Sequence, residues 1–279
     1  MKNNKTICFY DLESTCVTRD ADPISVGLVA VTTTNKNYED YLLAPVDKRS
    51  ISFKEWRKEN TQQTVKTFYA EFTDFNPDKA DDWVKENIID KLCLEYQLDK
   101  FAIEGDTYLK NNNTLCLGTS GYISKELKHW LSQFEEVKFW ADFDVIDKPM
   151  LIDLITDWSY SKPCGFISSN STHYEENLRA YVCDRCGDSK SEDCTFKVGL
   201  PKHLPNIQYY DFYDLHTLFK IKGVDPDISR EDYVVGELHD VIKDEIIWKL
   251  DDDTSGKHNA LWDAVVNWKC YEKLNSLNN

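Results

Sequence analysis

The chain has 279 residues, of which 41% are hydrophobic and 13% aromatic, so it can bury a core and is not an intrinsically disordered sequence. Its formal net charge of −16 works against non-specific binding to nucleic acid and does not favour an anionic membrane surface. No stretch approaches the roughly 18 apolar residues of a membrane span, and no secretory signal follows Met1. We therefore expect a cytoplasmic protein with no membrane partner and a single domain over residues 1–279.

The chain opens with three segments that are predicted to be strands. Residues 6–10 favour a buried strand, residues 23–31 a second, and residues 38–43 a third that ends before Pro45. Together they predict an antiparallel opening meander. Residues 46–76 are mixed and polar, and we expect their aromatic side chains to anchor them to the core.

Helical and strand patterns alternate in the rest of the chain. Asn76 followed by Pro77 is typical of a helix start, with apolar residues at helical spacing after it. Further helices are predicted at 120–134, at 150–158 (with a start near Asp147 as the alternative), at 215–222 and at 258–274; further strands are predicted at 136–143 and 207–212. Residues 224–230 are expected to form a loop. This alternation predicts an α/β fold with a mixed sheet and flanking helices.

Two carboxylates follow the first predicted strand. Asp11 and Glu13 are one residue apart, and residues i and i+2 of a strand project from the same face. They would lie at the carboxyl end of the strand, where α/β sheets place their functional sites. A hard divalent cation with oxygen ligands would relieve the repulsion between them. The alternative is a surface strand end that carries two acids by chance.

Further acids and a histidine lie much later in the chain. Asp144 closes the strand predicted at 136–143, with Asp142 and Asp147 close to it. At the start of the last predicted helix, His258 precedes Asp263 by five residues. Asp263 falls near the rim of the buried stripe of that helix, where a charge needs a partner. A solvated Asp263 and a capping His258 are the alternative.

The order of these motifs resembles the DEDD superfamily of 3′–5′ exonucleases, in the subgroup with a catalytic histidine. Asp11-x-Glu13 ends a first strand, Ala141-Asp-Phe-Asp144 closes a later one, and a histidine precedes the final acid on a C-terminal helix. The superfamily includes proofreading exonucleases, oligoribonuclease and RNase T. The closing string at 257–264, KHNALWDA, is similar to small phage and bacterial exonucleases of an exoribonuclease type. The sequence departs from the pattern at Trp140, where an asparagine is usual.

The resemblance implies a ribonuclease H-like fold and a role for each residue of the motifs. His258 would be the general base, and two Mg²⁺ or Mn²⁺ ions would flank the scissile phosphate. The substrate would be the 3′ end of single-stranded RNA or DNA, with RNA slightly favoured, and the product a nucleoside 5′-monophosphate. The four metal-binding acids would be Asp11, Glu13, Asp144 and Asp263, with Asp142 in reserve for the third, and Leu12 and Ser14 would contact the terminal nucleotide.

Two other functions are compatible with the same residues. One is a catalytically silent nucleic-acid or protein-binding module, against which the presence of all four acids and the histidine speaks. The other is an enzyme that acts on free nucleotides or very short oligonucleotides, which an acidic surface would tolerate best. Local positive charge for a nucleic acid could come from Lys148, Lys202, His203, Lys220, Lys222, Arg230 and Lys257.

Residues 159–206 are polar, serine-rich and contain four cysteines, and we interpret them as an insertion. Cys183 and Cys186, followed by Cys194, have the spacing of a close pair and a third thiol in a structural zinc site. Loose surface thiols are the alternative interpretation. The fourth ligand to zinc could be Cys164, His173 or His203.

Overall fold

The computed structural model describes residues 4–18, 21–34, 52, 62–92, 94, 106–110, 112–142, 144–155, 172–175, 180–183, 207–241 and 258–277. Within these ranges the fold is α/β, with a seven-stranded mixed sheet and a separate two-stranded sheet. The strands are β1 Asn4–Ser14, β2 Pro23–Thr34, β3 Gln62–Phe72, β4 Asp106–Lys110, β5 Asn113–Gly118, β6 Val137–Ala141, β7 Thr172–Glu175, β8 Ala180–Cys183 and β9 Ile207–Asp214. The helices are α1 Asp82–Asn87, α2 Ser120–Leu131, α3 Asp144–Ile155, α4 Leu215–Ile221, α5 Arg230–Val241 and α6 Ala260–Ser276, with 3₁₀ turns at Pro77–Lys79 and Ile89–Lys91.

Strand β1 lies inside the large sheet, between β2 and β6. The strand order is β4-β5-β3-β2-β1-β6-β9, and β7 pairs only with β8 in the small sheet. On one side β1 pairs antiparallel with β2, and β2 pairs antiparallel with β3. On the other side β1, β6 and β9 are parallel, so their carboxyl ends lie at one edge of the sheet.

The two faces of the sheet carry separate hydrophobic cores. Cys8 and Tyr10 of β1 belong to the core that α2 and α3 cover. Phe9 belongs to the opposite core, which α6 covers by packing on β1 and β2. Because side chains alternate along a strand, Asp11 and Glu13 continue the register of Phe9 and face the α6 side.

Several predicted elements are confirmed. The helix predicted at 120–134 is α2, with Ile123, Leu127 and Trp130 buried. Asn76 caps a helical turn as expected, because its side chain accepts a hydrogen bond from the amide of Asp78. The helix there is short and broken by 3₁₀ turns, however. Gly223 adopts a φ of 72° directly after α4, as its predicted role at the helix end requires.

Other predictions need correction. The third strand of the meander is β3, within residues 46–76, for which no strand or helix was predicted. The strand predicted at 38–43 lies outside the described residues. The last six residues of β3 are buried on both faces, so the sequence shows no alternation there. Strands β4 and β5 and helix α5 were not predicted. Helix α3 begins at Asp144, several residues before its predicted start. It holds Pro149 inside it.

The polar segment at 159–206 contributes strands β7 and β8, which pair antiparallel.

None of the described helices is both long and apolar enough for a bilayer crossing.

Candidate active site

A cavity of about 670 Å³ opens at the carboxyl end of β1. The end of β1 and the beginning of α6 line part of it. The segment that joins α4 to α5 and the first residues of α5 line another part. The lining residues are Asp11, Leu12, Glu13, Asp142, His216, Pro226, Asp227, Ile228, Ser229, Arg230, Glu231, His258, Asp263, Val266 and Asn267.

Asp11 lies at the centre of a group of carboxylates. Burial raises its pKa well above the ordinary value, and the negative charges of Asp147, Asp263, Glu13 and Asp142 raise it further. Four other acids, from β1 itself, the residue after β6, α3 and α6, are therefore close enough to act on it. Asp11 and Asp263, far apart in the sequence, share one cavity.

Glu13 is held in a similar environment. Burial is the main cause that raises its pKa from 4.5 to about 7, with Asp147 adding to the rise and the ammonium of Lys91 opposing it. Lys91 ends the 3₁₀ turn after α1, so this part of the chain also borders the site. A cluster of acids that resists ionisation at neutral pH is one that positive charge would stabilise.

Three side chains form a potential metal-binding group. Glu13, His258 and Asp263 each offer a ligand atom, and these atoms lie within 4.8 Å of one another. Glu13 comes from the end of β1, while the other two come from the start of α6. Two carboxylates and an imidazole suit a divalent cation, and oxygen donors favour a hard one.

His258 has an unusual backbone conformation. Its φ is 68°, in the left-handed region that residues with a Cβ rarely occupy. Its amide donates to Asp263 Oδ2 at 3.1 Å, so the loop before α6 is tied to the acid in the first turn of that helix. The imidazole packs on the edge of Trp83, with ring centroids 4.9 Å apart and planes at 82°. Strained conformations of this kind are often kept where a side chain must be positioned for function.

A glycine allows α6 to reach the acids. Gly27 of β2 lies opposite Asp11, and a Cβ built on it would be 2.3 Å from the carbonyl atoms of Ala260 and 2.2 Å from the amide nitrogen of Leu261. The buried side chain of Asn267 donates to the Tyr10 carbonyl at 3.4 Å about two turns further along. The first two turns of α6 are therefore fixed against the strand pair that carries Asp11.

A buried chain of hydrogen bonds holds the start of α6. Asn259 caps the helix by accepting hydrogen bonds from the amides of Leu261 and Trp262. Its Nδ2 donates to Tyr69 Oη at 3.2 Å, and Tyr69 Oη donates to Glu71 Oε1 at 2.8 Å. The carboxylate of Glu71, only 1% exposed, also accepts from the amide of Leu94 at 3.0 and 2.9 Å.

The donors and acceptors in this series of hydrogen bonds are fixed. A carboxylate has only acceptors, so the Tyr69 hydroxyl must donate to Glu71 and accept from Asn259. The carboxamide oxygen of Asn259 is then left for the helix amides. The residue next to His258 is thereby locked in one rotamer.

The sequence leaves more than one candidate for the third acid of the motif. Asp144 is the first residue of α3, and its side chain lies outside the described residues. The reserve candidate, Asp142, lines the cavity, but its Oδ1 accepts a 2.6 Å ion-pair hydrogen bond from Arg230 Nε. Asp147, in the first turns of α3, is the first-ranked charge that acts on both Asp11 and Glu13. This electrostatic effect on both acids makes Asp147 a further candidate.

The two predicted substrate contacts differ in position. Leu12 lines the cavity, although only 6% of it is exposed. The Ser14 hydroxyl donates to the Cys16 carbonyl at 2.8 Å, where it stabilises the turn after β1.

The predicted zinc ligands cannot be placed together. Cys183 ends β8, and its side chain is outside the described part, as is that of His173 in β7. The remaining candidates, Cys164, Cys186, Cys194 and His203, also lie outside the described residues.

Sequence reasoning missed two parts of the site. One is Trp83, whose exposed ring touches His258; it lies just before Val84 in the apolar pattern of α1, and nothing local marks it. The other is the cavity-lining stretch 226–231: residues 224–230 were predicted to form a loop, and of them only Arg230 was named, as a candidate cation. Its acidic and basic residues beside a proline were the available signal.

A scan against protein-family models finds no match for this chain, and no curated protein matches it. What the protein does is therefore inferred from the chemistry of the site.

Proposed function

We propose that the protein is a metal-dependent 3′–5′ exonuclease that releases nucleoside 5′-monophosphates from single-stranded nucleic acid, with RNA slightly favoured over DNA. The observation that carries the proposal is the convergence of Asp11, Glu13, His258 and Asp263 on one cavity. These are four of the five residues that the motif resemblance names as catalytic, and they come from opposite ends of the chain.

The sheet supports a ribonuclease H-like fold. Strands β3-β2-β1-β6-β9 form a five-stranded unit in which β2 alone runs antiparallel to its neighbours, with β5 and β4 added beyond β3. In this arrangement the acids at the end of β1 lie between β2 and β6, so they meet α6 on one face and the residues after β6 at the same edge.

The donor set fits a divalent cation. Asp11, Glu13 and Asp263 would hold it, with the further acid supplied by Asp144 or Asp147. Burial, with the neighbouring carboxylates, raises the pKa values of Asp11 and Glu13, and a bound cation would favour their ionised forms. When bound, Mg²⁺ or Mn²⁺ would supply Lewis acidity toward the phosphate and lower the pKa of the attacking water.

His258 is proposed as the general base. An unperturbed imidazole titrates near pH 6.5, so a neutral His258 can accept a proton from water at neutral pH. The Asp263–amide hydrogen bond and the Trp83 ring hold the residue on the cavity side of the loop. Leu12 gives the cavity an apolar surface for part of a nucleotide, and a volume of about 670 Å³ lies within the usual range for small-ligand sites.

The experiment is a length-resolved degradation assay. Labelled single-stranded RNA and DNA of equal sequence are incubated with Mg²⁺ or Mn²⁺, and products are resolved to single nucleotides. Stepwise shortening from the 3′ end, abolished by Asp11→Ala and by EDTA, supports the proposal. Glu135→Ala serves as the matched control, because its exposed carboxylate precedes β6, away from the cavity. Intact strands that are nevertheless bound would favour the silent binding module, and cleavage confined to dinucleotides would favour the short-oligonucleotide enzyme.

A structural zinc ion in the segment 159–206 stays a separate proposal. Metal analysis after removal of loosely bound ions should find about one zinc per chain, and its absence would dispose of the site.

A further inference from the structure

The cavity contains a guanidinium among its acids. Of the described residues that line it, Arg230 is the one lysine or arginine. It is the first residue of α5, and it lines the same cavity as Asp11 and Asp263. A permanent positive charge at that position is unexpected in a cavity whose other charged residues are mainly carboxylates.

Arg230 is held rigidly. Its Nε donates to Asp142 Oδ1 at 2.6 Å, and its Nη1 donates to the Ile228 carbonyl at 2.8 Å. The guanidinium carbon lies 4.2 Å from the centre of the Phe219 ring, and the side chain is only 12% exposed. Within the part of the chain that the structure describes, these two bonds use two of the five N–H donors of the guanidinium. The remaining donors are therefore available to an anion in the cavity.

The ion pair joins Arg230 to an acid other than those proposed to bind metal. Asp142 acts electrostatically on Asp11 and at the same time binds Arg230. The scissile phosphate would be held through the metal ions by Asp11, Glu13 and Asp263, so the phosphate left for Arg230 is a different one. In a nucleic-acid strand, the nearest other phosphate is that of the next phosphodiester.

We propose that Arg230 binds the phosphodiester adjacent to the scissile one and thereby makes the site selective for strands over mononucleotide esters. This rests on the proposed exonuclease function. Asp142 is a positioning residue: it fixes Nε and leaves to the phosphate the Nη donors that the Ile228 carbonyl does not use, a fork geometry for which arginine is suited and lysine is not.

Kinetics on two substrates test the proposal. The p-nitrophenyl ester of thymidine 5′-monophosphate has only the scissile phosphodiester, whereas a ten-nucleotide oligothymidylate has the adjacent one as well. For Arg230→Gln, we expect the ratio of kcat/KM on the oligonucleotide to kcat/KM on the ester to fall about 10- to 100-fold, the range for a lost charge-assisted hydrogen bond. Most of this fall should appear in KM for the oligonucleotide. Arg230→Lys, which keeps the charge without the fork, should recover only part of it. An equal loss on both substrates would overturn the proposal.

Binding measured without turnover separates this inference from the proposed function. The probe is a 5′-fluorescein ten-nucleotide oligothymidylate in Ca²⁺, followed by anisotropy across a salt series. Loss of one phosphate contact should weaken binding and reduce the slope of log K against log salt by about 1. Lys125→Gln is the matched control, since its ammonium is 79% exposed on α2. Unfolding temperatures establish that each variant is folded. If Arg230→Gln does not fold, Arg230→Lys is used for the test.

The outcomes are distinct. A wild-type protein that binds the oligonucleotide with an Arg230-dependent salt slope but hydrolyses neither substrate would retain this inference and reject the exonuclease. Hydrolysis in which neither the ratio of kcat/KM values nor the salt slope depends on Arg230 would retain the exonuclease and reject this inference. No binding by the wild-type protein would overturn the inference.

Discussion

Gly27 lies directly opposite Asp11 in the β1–β2 ladder and also contacts the backbone of Ala260 at the start of α6. One residue without a side chain therefore brings two distant parts of the chain together. On one side of it is the first acid of the site, and on the other is the helix that supplies His258 and Asp263. The approach of helix to sheet is set by backbone contact, with no room for a methyl group.

Gly27→Ala should therefore displace the start of α6. The new Cβ would lie 2.2–2.3 Å from backbone atoms of Ala260 and Leu261, which cannot rotate away. We expect kcat to fall by about 100-fold, the usual cost of a displacement of about 1 Å at a catalytic group. Overpacking should also lower the free energy of unfolding by about 1–3 kcal/mol.

The matched control is Gly121→Ala. Gly121 is exposed in α2, and a Cβ there has no atom within 4 Å. This variant should keep full activity and gain up to about 1 kcal/mol in stability. Wild-type kinetics in Gly27→Ala would show that the helix start is not held by this contact.

Tyr69→Phe should impair catalysis without contacting the substrate. It removes the hydroxyl between Asn259 and Glu71, leaving a buried carboxylate and a carboxamide each short of one partner. The expected cost is about 1–3 kcal/mol in stability, from chemical denaturation. Because the loop at His258 loses its support, kcat should fall more than KM rises.

Tyr122→Phe is the comparison variant. The Tyr122 hydroxyl bonds Thr107 at 2.8 Å on the other side of the sheet, so this change removes a tyrosine hydrogen bond away from the cavity. Its stability should decrease and its kcat should not. If both variants lose kcat alike, the effect comes from general destabilisation.

Stability should depend on pH through Glu13. A carboxyl group whose pKa rises from 4.5 to about 7 on folding binds its proton more tightly in the folded state. Its favourable contribution is complete below about pH 4.5 and is lost as pH rises through about 7. The difference corresponds to at most about 3 kcal/mol. Denaturant unfolding between pH 5 and 8 without divalent cations should show a decline that is shallower in Glu13→Gln.

Divalent cations should reverse this trend. Binding to the carboxylate cluster favours the ionised acids of the folded state, so Mg²⁺ or Mn²⁺ should raise the unfolding temperature most at and above pH 7. Asp263→Asn should weaken the effect, while Glu135→Ala should leave it intact. A wild-type unfolding temperature that does not respond to millimolar Mn²⁺ would contradict a metal role for the cluster.

The local patterns were sufficient for several elements and for the identity of four site residues. Asp11 and Glu13 could be assigned to one face because strand alternation is a local rule, and the apolar spacing of α2 marked Ile123 and Leu127 as buried. His258 and Asp263 were picked out as a motif at a helix start. In each case the relevant physics acts within a few residues along the chain.

Other features depended on packing. Strand β3 lacked an alternating pattern because its second half is buried on both faces. Trp83 shows no local mark of its contact with His258, and Arg230 was one of several candidate cations until its pairing with Asp142 placed it in the cavity. The choice among Asp142, Asp144 and Asp147 likewise turns on distances that spacing does not give.

The sequence alone determined which carboxylates and which imidazole were available, since residue type fixes donor chemistry and short-range spacing fixes the face on which a side chain lies. Only the tertiary structure decided that they meet. That outcome depends on a steric condition at Gly27 and on the buried hydrogen bonds of Tyr69, and both are contacts between residues remote in sequence.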